Sequence, residues 1–66
     1  MRLTDLWWRL EETFGRGYAA SVANDQVLKE LDGRTINQAL ADGVAAADVW
    51  RSVVAAYPDR VPARVR

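Results

Sequence analysis

Leu3-Thr4-Asp5-Leu6-Trp7-Trp8-Arg9-Leu10-Glu11-Glu12-Thr13-Phe14 is the stretch that decides the fold class. An α-helix advances about 100° per residue, so Leu3, Leu6, Trp7, Leu10 and Phe14 gather into one apolar stripe roughly 100° wide. That is the width of a helix face laid on a core. Thr4 reads as the N-cap, and Asp5 follows in the first turn, where the positive end of the helix dipole favours an acid. Gly15 ends the helix. Trp7 falls inside the stripe. Trp8 falls about 100° further round, between Thr4 and Glu11 on one side and Asp5 and Glu12 on the other. Helical geometry gives it no place in a core.

Outward from this helix, the pattern stays helical and is punctuated by glycine. Gly15-Arg16-Gly17 is a joint, and residues 18–23 form a short helical candidate with Tyr18 and Val22 on its apolar face and Ala19 at the margin. Asn24 or Asp25 can cap a next helix over 26–31, which brings Val27, Leu28 and Leu31 onto one face. Asp32-Gly33 is also a hairpin signal, but neither flank alternates with period two, so Gly33 reads as a helix C-cap. Thr35-Ile36-Asn37-Gln38 matches a capping box and opens a helix over 36–42, with Ile36, Ala39 and Leu40 inward and Gly43 as its stop.

The final helix is the cleanest after the first. Over 45–57, Ala46, Val49, Trp50, Val53, Val54 and Tyr57 recur at spacings of three and four, Asp48, Arg51, Ser52 and Ala55 make the wetter face, and Pro58 prevents continuation. Residues 59–66 hold the chain's second proline and several charges, so they read as an irregular tail, with Val61 docked on the core and the last residues frayed. The agreement of period, caps and breakers gives an all-α fold: a compact single-domain bundle of four to five short helices over residues 1–58, with an irregular, partly disordered tail over 59–66. Trp7 and Trp50 are expected near the contact of the first and last helices.

Composition narrows the function classes. A chain of 66 residues makes one domain, and at 50% hydrophobic and 27% charged it has the balance of a globular protein, not of a disordered one. Nine Lys and Arg against nine Asp and Glu leave no global field to steer the molecule toward nucleic acid or an anionic membrane. The chain has no cysteine, which removes thiolate nucleophiles and disulfides and fits a reducing compartment. With no histidine, it also lacks the commonest general base and transition-metal ligand. Asp5, Arg9, Glu11 and Glu12 interrupt any signal-peptide layout, and no run approaches the roughly 20 apolar residues that span a bilayer. A cytoplasmic protein is expected.

Several separated motifs occur in a familiar order: Met1-Arg-Leu-Thr-Asp-Leu-Trp7, Phe14-Gly15, Val27-Leu-x-Glu-Leu-x-Gly-Arg-Thr-Ile36, Ala39-Leu40, Gly43 and Val49-Trp50-Arg51. Together they resemble the small actinobacterial proteins catalogued as domain of unknown function 3046, over essentially residues 1–57. The resemblance implies a compact helical protein of high-GC Gram-positive bacteria, often encoded near recombination genes, and it brings no established activity and no catalytic residues. The family pattern usually has a charged residue where this chain has Trp8, and a proline before Val49 where this chain has Ala45-Ala46-Ala47.

Ser21 and Ser52 have no histidine to activate them, Lys29 reads as an ordinary exposed helix residue, and the adjacent Glu11 and Glu12 point about 100° apart, which makes no clean acid and base pair. Asp25, Glu30 and Asp32 lack the loop spacing and central glycine of a calcium site. No cofactor, no metal, no small-molecule substrate and no enzyme activity are expected. Arg34, Arg60, Arg64 and Arg66 are candidates for nucleic-acid contact. Three phosphate contacts would give a salt slope of only about −2.7 on duplex DNA, which suits weak, nonspecific association. A helix-turn-helix is disfavoured, because the segment after Arg34 exposes Asn37, Gln38, Ala41 and Asp42 without another cation. The outer face of the last helix has no cationic stripe for a membrane.

Trp8 remains. Either the tail folds back over it through Val61 or Pro62, or it faces a protein partner or a second copy, as exposed aromatics flanked by charge do at interfaces. The function expected is a small non-enzymatic interaction module that uses Trp8, Asp5, Glu11 and Glu12. The alternative is a weak nucleic-acid accessory factor that uses the four arginines.

Overall fold

Leu6, Leu10 and Phe14 lie one below another on helix α1 (Leu3–Phe14), buried against the rest of the chain as the helical period requires. The structure, a computed structural model, describes residues 1–66. Thr4 does not cap α1. The N-cap is Arg2, in extended backbone, and its amide donates to the Asp5 carboxylate at 3.3 Å. Asp5 thus satisfies a free amide just before the helix as well as complementing the dipole. Leu3, the first helical residue, is 52% exposed rather than core, because the stripe runs off the end of the bundle there. Thr13 is buried without an orphaned hydroxyl, since Oγ1 donates to the Arg9 carbonyl at 2.8 Å.

Helix α2 (Ala19–Asp25) packs on α1 through the buried small residues Ala19 and Ala23. It starts later and ends later than the apolar pattern implied. Tyr18 becomes its N-cap and is 71% exposed, and Asn24 and Asp25 form its last turn instead of capping a following helix.

No α-helix covers residues 26–31. Gln26 leaves α2 in extended backbone, strand β1 (Val27–Leu28) pairs antiparallel with strand β2 (Arg34–Thr35), and a 3₁₀ turn at Lys29–Leu31 lies between them. The register sets Val27 opposite Thr35 and Leu28 opposite Arg34. Asp32 and Gly33 take successive left-handed conformations, φ 57° and 78°, and the Gly33 amide returns to the Leu28 carbonyl at 3.0 Å. The hairpin meaning of Asp-Gly therefore prevails over the C-cap reading. A two-residue strand offers only one alternation, Val27 out and Leu28 in, too little to register as period two. The ladder is a pin between helices, and the fold remains an all-α small domain.

Thr35 closes the hairpin and opens helix α3 (Ile36–Ala41) with the expected capping box. Its hydroxyl accepts from the Gln38 amide at 3.1 Å, and the Gln38 side-chain oxygen accepts from the Thr35 amide at 2.9 Å. Gly43, at φ 89°, turns the chain out of α3, with the Val44 amide donating to the Ala39 carbonyl.

Helix α4 (Ala46–Ala56) buries Val49, Trp50 and Val53 and packs on α1, α3 and the 3₁₀ turn. The indole N–H of Trp50 is buried without an acceptor. Such an orphan costs about 1–3 kcal/mol. Burying a Trp ring removes about 150–250 Å² from water, worth roughly 4–6 kcal/mol at ~25 cal/mol per Å², so the ring's burial wins.

Pro58 ends α4 as expected, with Tyr57 driven to φ −129°, ψ 59° before it. Val61 docks on the core as expected, but the end of the tail departs from the frayed extension. Val61 is 4% exposed and Val65 is 3% exposed, the latter in a 3₁₀ turn at Ala63–Val65, so two valines complete the core from the far end of the chain. Phe14 and Tyr57 meet edge to face at 5.1 Å between ring centroids, and the Arg60 guanidinium lies 5.2 Å from the Phe14 centroid. Val65→Ala removes two buried methyl groups and should cost about 1–2.5 kcal/mol in urea unfolding. A cost under about 0.5 kcal/mol, the size of an ordinary surface substitution, would mean that the tail is not core.

Candidate functional site

Trp8 lies in the middle of α1 on the side away from Leu6, Leu10 and Phe14, and it is 53% exposed. Trp7, one position earlier, is half-buried and packs against the core. Trp8 is therefore not buried as the fold-back reading expected, while Val61 and Val65 of the tail go into the core.

The three acids expected beside Trp8 differ in how they are occupied. Asp5, one helical turn before Trp8, meets Arg2 at 3.5 Å. Glu12, one turn after, is reached by Arg64 at 2.9 Å. Glu11, on the other flank, has no ion pair or side-chain hydrogen bond within the chain, although its carbonyl accepts from the Gly15 amide at the helix end. Spacings of three and four residues place all of them on the Trp8 side of α1. The result is an aromatic ring standing among carboxylates, one of which carries no counter-charge.

The four arginines of the nucleic-acid alternative are all engaged within the chain. Arg34 is tied down most: Nε donates to the Leu31 carbonyl at 2.8 Å, one terminal nitrogen meets Asp42 at 3.1 Å and the other lies 3.8 Å from Asp32. Its planar fork thus links the hairpin turn to the end of α3. Arg60 covers Phe14, Arg64 meets Glu12, and Arg66 donates to the Pro58 carbonyl. Arg9 adds a contact that the helical pattern did not suggest, its guanidinium 5.7 Å from the Trp50 ring centroid.

Elsewhere the candidate residues take structural places. The Ser52 hydroxyl donates to the Asp48 carbonyl of its own helix at 3.0 Å, and Asp48 pairs with Arg51. Asp32 serves the hairpin turn, while the Asp25 carboxylate accepts from the Asn24 amide group at 3.1 Å. No three acids are grouped as a metal site would need, and no helix is long and apolar enough to cross a membrane. Besides Trp8, the exposed large hydrophobic residues are Met1, Leu3, Tyr18 and Val27. Tyr18 was missed as a surface residue because it was counted in a helical repeat that begins only at Ala19.

These features define a small all-α domain whose surface aromatic is set among acids and whose arginines are spent on its own loops and rings. The chain belongs to the family described as a protein of unknown function (DUF3046), whose model matches residues 1–64. The match takes in the tail valine Val61 and the Glu12 partner Arg64 as well as the helices. No curated protein and no solved structure matches the chain.

The Arg34 geometry has a direct test. Arg34→Lys keeps the charge but cannot reproduce three directed contacts, and should destabilise the fold by about 1–2 kcal/mol. Arg51→Lys, at an exposed pair within one helix, should change stability by less than about 0.5 kcal/mol. Equal effects of the two substitutions in urea unfolding would contradict the bracing role of Arg34.

Proposed function

We propose that this protein is a small non-enzymatic interaction module of the actinobacterial cytoplasm, which binds a protein partner through the α1 face of Trp8, Asp5, Glu11 and Glu12. The observation that carries this reading is the half-exposed indole of Trp8, held on the most regular helix of the fold and ringed by carboxylates. A large aromatic presented on a rigid helix loses little side-chain entropy on binding, which is why tryptophan is enriched at interface hot spots. The helix needs no rearrangement to offer it, because the buried stripe on the opposite side holds α1 in place. The absence of cysteine fits a reducing compartment.

The nucleic-acid alternative draws less support. Each of its four arginines already has a partner within the chain that competes with a phosphate, and Arg34 is held by three contacts.

Affinity capture from the native cytoplasm, run in parallel with wild-type and Trp8→Ala protein, tests the proposal. A specific partner should be retained by the wild type and lowered about tenfold or more by Trp8→Ala, the loss expected of a tryptophan hot spot. Recovery of the same partners at the same level by both proteins would refute the role assigned to Trp8.

A further inference from the structure

We infer that the partner surface recognised by Trp8 is cationic, a segment of a partner protein that brings an arginine side chain onto the indole and its charge toward Glu11. The inference rests on the interaction reading above and names the chemistry of its occupant.

The fold itself supplies the pattern. Two of its other aromatic rings are already covered by guanidinium groups: Trp50 carries Arg9 at 5.7 Å and Phe14 carries Arg60 at 5.2 Å. Both distances fall within the range in which a cation is drawn to the face of a ring. Trp8, which offers the same attraction, is half-exposed and has no such cation. Its surroundings favour one. Glu11 has no counter-ion within the chain, whereas Arg2 offsets Asp5 and Arg64 offsets Glu12, so the uncompensated charge beside Trp8 is that of Glu11.

Arg64 shows that this side of α1 accepts a guanidinium. It comes from the tail, 52 residues away in sequence, and docks on Glu12 one helical turn beyond Trp8. An incoming arginine over Trp8 would add a second cation between Glu11 and Glu12, neutralising the charge that Arg64 leaves. Arginine suits the place better than lysine, because a planar, weakly hydrated guanidinium can stack on the indole and pair with a carboxylate at once. An acidic or purely apolar partner would have to bury the Glu11 carboxylate without compensation. Electrostatic complementarity of this kind selects the partner and speeds its approach more than it deepens affinity.

The probe is a fluorescently labelled peptide of alternating Arg and Gly, titrated by anisotropy at low salt against the full chain. Peptides with Lys or Glu in place of Arg serve as comparisons. The Arg peptide should bind more tightly than the Lys peptide, the Glu peptide should not bind, and added salt should weaken binding. Trp8→Ala and Glu11→Gln should each reduce affinity by about three- to fivefold, the size of an exposed cation–π or ion contact. No binding of the Arg peptide, or equal binding by wild type, Trp8→Ala and Glu11→Gln, would overturn the inference. If the Arg peptide fails while cytoplasmic capture of a partner still depends on Trp8, the cationic chemistry falls and the interaction reading stands. If capture is also indifferent to Trp8, both fall.

Discussion

The core that α1 and α4 share is the constraint on which the remaining structure depends. Leu6 and Leu10 from one helix and Val49 and Val53 from the other are fully enclosed, with Trp50 at 3% exposure among them. A domain of this length has little apolar surface to spare, so every other element is arranged to close this core. Helix α2 adds two alanines that allow close approach, the hairpin adds Leu28 and Leu31, α3 adds Ile36 and Ala39, and the tail returns to add Val61 and Val65.

Charge is used economically around that core. Arginine is the chain's dominant cation, and its side chains act as braces: Arg34 across the hairpin turn, Arg64 from tail to first helix, Arg9 and Arg60 over aromatic rings. An exposed pair such as Arg64 with Glu12 adds little stability, but it fixes where the tail comes to rest. These braces leave one acid on the outer side of α1, Glu11, without a counter-charge. Trp8 is placed on that side. The same helix therefore serves the architecture through Leu6, Leu10 and Phe14 and recognition through Trp8.

How much of this could be read from the sequence follows from the lengths of the elements. Helix α1, at 12 residues, and α4, at 11, each run about three turns, long enough for spacings of three and four to identify the buried face, and both were legible. The Thr35 capping box was legible because it is a local exchange between residues three apart. The hairpin was not, because two-residue strands have no period and Asp-Gly serves helix ends and turns alike. Nor was the burial of Val65, which no neighbour in sequence announces. In the candidate site, the outward angle of Trp8 was legible from α1 alone. The pairing of Glu12 with Arg64, which joins a residue from each of the two alternative surfaces, was not, since it depends on where the tail returns.

The division of labour along α1 is the central claim, and the measurement closest to it is the stability of Trp8→Ala against that of Trp50→Ala, by urea unfolding of each. The structure requires Trp8→Ala to remain within about 0.5 kcal/mol of wild type, as for a surface side chain, and Trp50→Ala to lose about 3–5 kcal/mol or fail to fold. A Trp8→Ala variant destabilised as much as a core truncation would make Trp8 part of the architecture and remove the basis for a recognition surface there.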